Sequence, residues 1–422
     1  RDGPIRASMM RPYTTAESFN PEDLWKWMAD YEEKTSGRVL ALAHNGNMSN
    51  GIMFPVEVNP ATGEPLTGDY AEQRARWEPL YEVTQIKGDG ETHPMLSPTD
   101  EFADHETLEL GNLNLTVPKT PEMLKYEYAR KALKDGLKME TTLGANPYKF
   151  GMVGSSDTHT ALAAVEEENY IGKHAGTEPS PDRIDHPMAE FEGRRYEGWS
   201  MSSSGYAAVW ATGNTRKELW DAMARKEVYA TTGPRMTVRF FGGWNYTEAD
   251  AANRLPAEVG YSKGVPMGGD LSSMPEGASA PTFLVGAMRD ATSGNLDRIQ
   301  IIKGWLDAGG ETQEKVYDVI WSDMDTRPVG DDGKVPAVGN TVDVANATWT
   351  NSIGEPELLA VWQDPDFDPA QKAFYYARVI EIPTPRWTAY DALRFGLEVG
   401  AEVPMTIQER AYTSPIWYSP EG

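Results

Sequence analysis

The sequence has no cysteine among its 422 residues. Disulfide bonds and thiolate chemistry are therefore excluded, and any metal ion must be bound by His, Asp or Glu. Histidine is also scarce, with 6 residues, so the position of each one is informative. No apolar run reaches the roughly 18 residues of a membrane-spanning helix, so a folded, soluble protein with no membrane span is expected.

Basic residues are in short supply. The sequence has 39 Lys and Arg residues and 64 Asp and Glu residues, which gives a net charge of −25. A phosphate backbone would be repelled by this charge, so nucleic acid is excluded as an expected partner. The sequence also lacks a Walker A loop, a G-x-S-x-G elbow and a dinucleotide fingerprint, which leaves serine-based acyl transfer without support.

The first half of the chain alternates helix and strand patterns. Short apolar strands are predicted at 38–43, 79–86 and 149–154, and a long amphipathic helix is predicted over 121–143. Other helices are indicated after Asn20 and from the capping box that begins at Thr215. This alternation is typical of parallel β/α units, whose active sites lie at the carboxyl ends of the strands.

The second half has a different pattern. Helix signals fade after residue 235, and strand-like runs follow, separated by turns rich in Gly, Pro and Asp. These runs predict a mostly antiparallel β-rich domain. The expected organisation is α/β plus β, with a β/α unit over 1–235 and a β-rich C-terminal domain over 236–422 that packs on it. The strand-like runs are 236–244, 281–290, 297–307, 315–323 and 374–382.

Two motifs follow predicted strands and carry potential metal ligands. Asp157 and His159 form an Asp-x-His pair, which in extended backbone places both side chains on one side. His44 directly follows the first predicted strand. Asn45 and Asn47 could orient ligands or bind substrate, or could only shape the turn. In the purely structural interpretation, Asp157 and His159 are a chance motif in a loop, and His44 is a hydrogen-bonded histidine at the rim.

The segment 82–93 also follows a strand. Glu82 lies within the predicted strand and is a candidate substrate-binding residue, while Lys87 and His93 lie in the loop that follows. Lys87 and His93 could bind an anion or act as a general acid, or could belong to a solvated loop. The remaining histidines are predicted to be surface residues: His105, His174 and His186.

Long motifs across the chain resemble the DUF3604 family, which looks related to PHP-type metallohydrolases and carbaryl-hydrolase-like enzymes. The resemblance implies a distorted β/α barrel that binds two or three divalent ions of Zn, Mn or Fe, with His44, Asp157 and His159 as ligands. The His-x-His pair and further ligands typical of the front strands are missing, so an upstream segment or chain is expected to complete the barrel. The motifs include 40–55, 82–104 and 146–159.

The expected function is hydrolysis of a small-molecule ester by metal-activated water, with a phosphoester as the first choice. Carbamate, carboxyl and sulfate esters could be cleaved at the same site. The sequence is also compatible with a carbohydrate-binding or carbohydrate-acting protein, and with a non-catalytic structural protein built on a degenerate barrel. Periplasmic or secreted localisation in a bacterium is expected, with the cytoplasm as the alternative, and a homo-oligomer is left open.

Overall fold

The computed structural model describes residues 7–253, 255–331 and 333–420. Helices lie at Pro21–Thr35 (α1), Gly68–Trp77 (α2), Pro121–Leu124 (α3), Ala129–Leu143 (α4), Arg216–Ala224 (α5), Glu248–Ala251 (α6), Pro256–Lys263 (α7) and Trp387–Phe395 (α8). Among the described residues, no helix is both long enough and apolar enough to span a membrane.

The strands of the first half are Leu42–Ala43 (β1), Leu80–Gln85 (β2), Gly88–Asp89 (β3), Gly151–Gly154 (β4), Ala189–Phe191 (β5), Arg194–Tyr196 (β6), Tyr206–Val209 (β7) and Val228–Thr231 (β8). Those of the second half are Thr237–Gly243 (β9), Gly264–Pro266 (β10), Thr282–Met288 (β11), Leu296–Leu306 (β12), Thr312–Trp321 (β13), Glu357–Gln363 (β14), Ala373–Glu381 (β15), Thr384–Pro385 (β16), Thr406–Ile407 (β17), Arg410–Thr413 (β18) and Ile416–Tyr418 (β19).

A small parallel sheet is formed by β1, β2 and β4. β2 lies in the centre, with Leu80 opposite Leu42 of β1 on one side and opposite Gly151 of β4 on the other. The first half of the chain is therefore a mixed α/β arrangement, in which helices lie between the parallel strands in sequence. Within the described ranges the strands do not close into a barrel, so the PHP-like barrel is not confirmed.

Antiparallel sheets dominate the second half, as predicted. A four-stranded sheet has the order β10-β9-β11-β14, and a seven-stranded sheet has the order β13-β12-β15-β18-β8-β7 with β19 also paired to β15. β8 precedes residue 235, yet it pairs with β18 in the large sheet. The large sheet therefore takes strands from both 1–235 and 236–422. The predicted division between these two ranges stays a prediction.

The large sheet separates two hydrophobic cores. Along β15, Phe374 and Tyr376 pack into the core that contains α4 and the parallel sheet. The alternate residues Tyr375 and Ala377 pack against the four-stranded sheet. This alternation follows from the two-residue period of a strand. Because both faces are covered, every residue of β15 is buried.

Two local predictions are wrong. The helix predicted over 121–143 is divided into α3 and α4, because the first N–H groups of α4 donate to the loop after β3: Ala129 to Gly90 O at 2.8 Å and Arg130 to Glu91 O at 2.9 Å. The strand predicted over 38–43 is reduced to β1 at the sheet edge, where Leu42 is exposed. α2 was missed, although its buried residues have helical spacing.

The predicted start of α5 is confirmed. The Thr215 hydroxyl accepts the N–H of Glu218 at 3.3 Å, as an N-cap residue does. Replacing Thr215 with Ala should lower the free energy of unfolding by about 1 kcal/mol, measured by urea denaturation. The matched control is Thr212→Ala, an exposed threonine outside the helix. Equal stability of the two variants would contradict a capping role.

Candidate active site

Three sequence-predicted segments meet at one edge of the parallel sheet. His44 follows β1, and Asp157 follows β4. Lys87 lies in the tight turn that connects β2 to β3. The carboxyl ends of parallel strands share an edge, which brings these segments close together. Of the predicted residues, the structure joins Lys87, Asp157 and His159 by direct contacts.

Asp157 is the centre of this cluster. Its Oδ2 accepts hydrogen bonds from the ammonium groups of Lys87 and of Lys173, the latter at 2.5 Å. His159 Nε2 lies 3.2 Å from Asp157 Oδ1 and 3.2 Å from Lys173 Nζ. Asp157 has a positive φ of 48°, so the extended backbone expected for the Asp-x-His pair is not found. The two side chains nevertheless meet.

The cluster is partly shielded from water, and its charges perturb one another. Burial and the ammonium of Lys173 lower the pKa of Lys87 to about 7, while the Asp157 carboxylate against it favours the charged form. Burial also lowers the pKa of Lys173. The ammonium of Lys173 lowers the pKa of His159, whose imidazole is exposed and neutral at pH 7. An anion entering the cluster would be stabilised by both lysines.

Lys173 is the member that sequence reasoning missed. It lies in a loop between short elements, with no strand in front of it. Main-chain pairing holds the loop in place, since His159 N–H donates to Lys173 O at 2.6 Å. No local pattern marks Lys173, and the contact depends on how the two loops fold against each other.

Glu82 and Asn47 support the cluster from within the protein. Both oxygens of the buried Glu82 carboxylate are engaged, one by Gln85 Nε2 and the other by the Ser155 hydroxyl. Asn47 Nδ2 donates to Lys87 O at 2.9 Å. These contacts position the loops after β2 and β4, and substrate binding by Glu82 and Asn47 stays a prediction.

His93 lies apart from the cluster. Its buried ring accepts the Met95 N–H at Nδ1, at 3.1 Å, and contacts Glu109 Oε1 through Nε2. The ring also packs on Tyr128, with a centroid distance of 5.3 Å. Both nitrogens of His93 are therefore used, and among the described contacts none joins it to Lys87.

His44 and Asn45 lie at the carboxyl end of β1. His44 is exposed and has no contact with Asp157 or His159 in the described structure. Asn45 has a left-handed φ of 56°, and its buried Oδ1 has no hydrogen-bond partner within the described ranges. The left-handed backbone of Asn45 fits the turn-shaping role considered for it from sequence. A role in substrate binding stays a prediction.

The donor set does not fit a centre of two or three ions as it stands. Within the described ranges, no three His, Asp or Glu side chains come together in a metal-binding arrangement. Asp157 and His159 could supply two ligands, but two ammonium groups adjoin them, and like charge opposes a bound cation. The metal number and the role of His44 stay predictions.

Comparison with known proteins gives one family. No curated protein and no solved structure matches this chain. The family described as "Protein of unknown function (DUF3604)" matches residues 1–420. Since that match covers nearly the whole sequence, the chain belongs to the DUF3604 family.

Proposed function

We propose that this protein is an ester hydrolase that acts on a small anionic ester. Its resemblance to PHP-type enzymes implies metal dependence, and further ligands would then have to complete the centre with Asp157 and His159. The observation that carries the proposal is the convergence of Lys87, Lys173, Asp157 and His159 at the carboxyl edge of the parallel sheet. A phosphoester is the first choice because Lys87 and Lys173 share the single carboxylate of Asp157, which leaves net positive charge for the phosphate oxygens. Sulfate, carbamate and carboxyl esters also develop oxyanion charge that these groups could stabilise.

Each side chain has a role in this proposal. Lys87 and Lys173 bind the anion, and Lys87 Nζ donates a proton to the leaving oxygen as its bond to phosphorus, sulfur or carbon breaks. The neutral imidazole of His159 can bind a metal ion or accept a proton from the attacking water. Asp157 holds the three cationic or basic groups together.

Turnover of activated esters tests the proposal. Purified protein is assayed with aryl phosphates and with the matching sulfate, carbamate and carboxyl esters, and its metal content is measured by elemental mass spectrometry. Asp157→Asn and His159→Ala should each lower kcat/KM by about 100-fold or more. The control is His186→Ala, an exposed histidine with no contact to these four side chains in the described structure. Unchanged turnover in the first two variants would refute the proposed site.

A further inference from the structure

Arg410 on β18 is a buried guanidinium without an ion pair in the described structure. The residue is 3% exposed, and its side-chain hydrogen bonds go to main-chain carbonyls: Nη1 to Phe102 O at 2.9 Å and Nε to Gln408 O at 3.4 Å. The neighbouring Arg386, by contrast, is matched by both carboxylate oxygens of Glu106. The buried carboxylate of Asp89 interacts with the charge of Arg410 but forms no ion pair with it in the described structure. Nη2 of Arg410 makes no hydrogen bond among the described residues, so the guanidinium can still bind an anionic ligand.

His105 is the second unmatched group. The sequence predicts a surface residue at this position, and this prediction is wrong because His105 is only 8% exposed. Burial and the charges of Arg410 and Arg386 lower the pKa of His105 well below its ordinary value, so the ring is neutral at pH 7. In the described structure the ring makes no hydrogen bond, which leaves one N–H to donate and one nitrogen to accept.

Arg410 and His105 both line one cavity of about 840 Å³. This volume suits a small organic ligand. Trp199 and Ile407 contribute apolar surface to its walls. Exposed carboxylates lie at its rim, and these accept hydrogen bonds but repel a second negative charge. The rim carboxylates include Asp104, Glu109 and Glu402.

We propose that this cavity binds a small hydroxylated carboxylic acid, such as a uronic acid, with its carboxylate on Arg410 and His105. A guanidinium pairs with a planar carboxylate through two parallel hydrogen bonds. One unmatched cation among acidic neighbours favours a monoanion over a phosphate dianion. The ligand's hydroxyl groups donate to the rim carboxylates, and its ring packs on Trp199. The cavity is distinct from the Asp157 cluster, so binding does not depend on the hydrolase proposal.

Calorimetric titration with glucuronate tests the site, with glucose as the probe that lacks the carboxylate and inorganic sulfate as the simple anion. Glucuronate should bind and glucose should not. Arg410→Gln should weaken glucuronate binding about 10- to 100-fold, and His105→Phe should weaken it several-fold while removing no protein hydrogen bond. The matched control is Arg239→Gln, an arginine of β9 that stacks on Trp210, and neither residue lines the cavity.

Circular dichroism and thermal unfolding show whether each variant is folded. The His105→Phe variant keeps the test valid if Arg410→Gln does not fold. Equal affinity for glucuronate and glucose, or unchanged glucuronate binding in the folded variants, would overturn the proposal. Binding of sulfate without glucuronate would also overturn it, because the site would then select a bare oxyanion.

Discussion

Replacing Asp100 with Asn should lower the free energy of unfolding by about 3–5 kcal/mol, the cost of breaking a buried ion pair. The Asp100 side chain is 1% exposed and accepts Arg378 Nη2 at 2.7 Å, Arg378 Nη1 at 2.9 Å and Arg130 Nη2 at 2.8 Å. Asparagine nearly preserves the volume but removes the charge, which leaves two buried guanidinium groups undercompensated. Urea denaturation measures the loss.

The position of this network explains the size of the effect. Glu91 accepts Arg130 Nη2 at 2.6 Å, and Glu314 accepts Arg130 Nη1 at 3.2 Å. Arg130 belongs to α4, Arg378 to β15 and Glu314 to β13, while Glu91 and Asp100 lie in the loop after β3. The network therefore joins that loop and α4 to the large sheet, across the core between them.

The loss should depend on pH. Burial raises the pKa of Asp100, but Arg378 and Arg130 outweigh it and hold that pKa well below its ordinary value. Such a carboxyl group stabilises the fold above the unfolded pKa of about 3.9, and the contribution is lost as pH falls towards the folded pKa. The difference between wild type and Asp100→Asn should thus be full at pH 7 and shrink below about pH 4.

Asp325→Asn, a change at an exposed loop carboxylate, is the matched control and should alter stability by less than about 0.5 kcal/mol. A loss below about 1 kcal/mol for Asp100→Asn, or a loss that does not change with pH, would mean that the network contributes little to net stability. The pH series separates the charge effect from a simple packing defect, since packing does not titrate.

The strands of the second half could be predicted because their signal is local. The run 374–382 is mostly apolar, with Arg378 and Glu381 as its charged residues, and β15 is found at Ala373–Glu381. Strand order and sheet closure are not local, however. β8 pairs with β18, about 180 residues away in sequence. The residue pattern of a strand does not indicate which other strand it pairs with. The same limit explains the missed interruption between α3 and α4, which depends on acceptors in the loop after β3.

The candidate site, like the fold, could be predicted where its signal is local and not where it depends on contacts between distant loops. Lys87 and Asp157 were found because each follows a short apolar strand, and parallel strands bring such positions together. Lys173 has no such signal, and its role depends on a loop–loop contact. His93 was included because it lies near Lys87 in sequence, but Glu109, Met95 and Tyr128 hold its ring elsewhere. Proximity in sequence was a poor guide within an irregular loop.

Replacing Lys87 with Met should lower kcat/KM for the best ester substrate by about 100- to 10,000-fold. Methionine keeps most of the length of the buried stem but can neither donate a proton nor stabilise the anion. If protonated Lys87 is the acid, wild-type kcat/KM should fall as pH rises through about 7, the pKa of this lysine. The variant should lack this decline, and initial rates measured across a pH series check it.

Lys173→Met separates proton donation from anion binding. The ammonium of Lys173 lowers the pKa of Lys87, so its removal should raise that pKa and move the decline of kcat/KM to higher pH. KM should rise as well, because one of the two anion-binding groups is lost. Lys138→Met serves as the control, since this exposed lysine contacts Glu311 alone among charged groups in the described structure. If Lys173→Met raised KM without moving the pH profile, Lys87 would bind the anion but would not be the titrating acid.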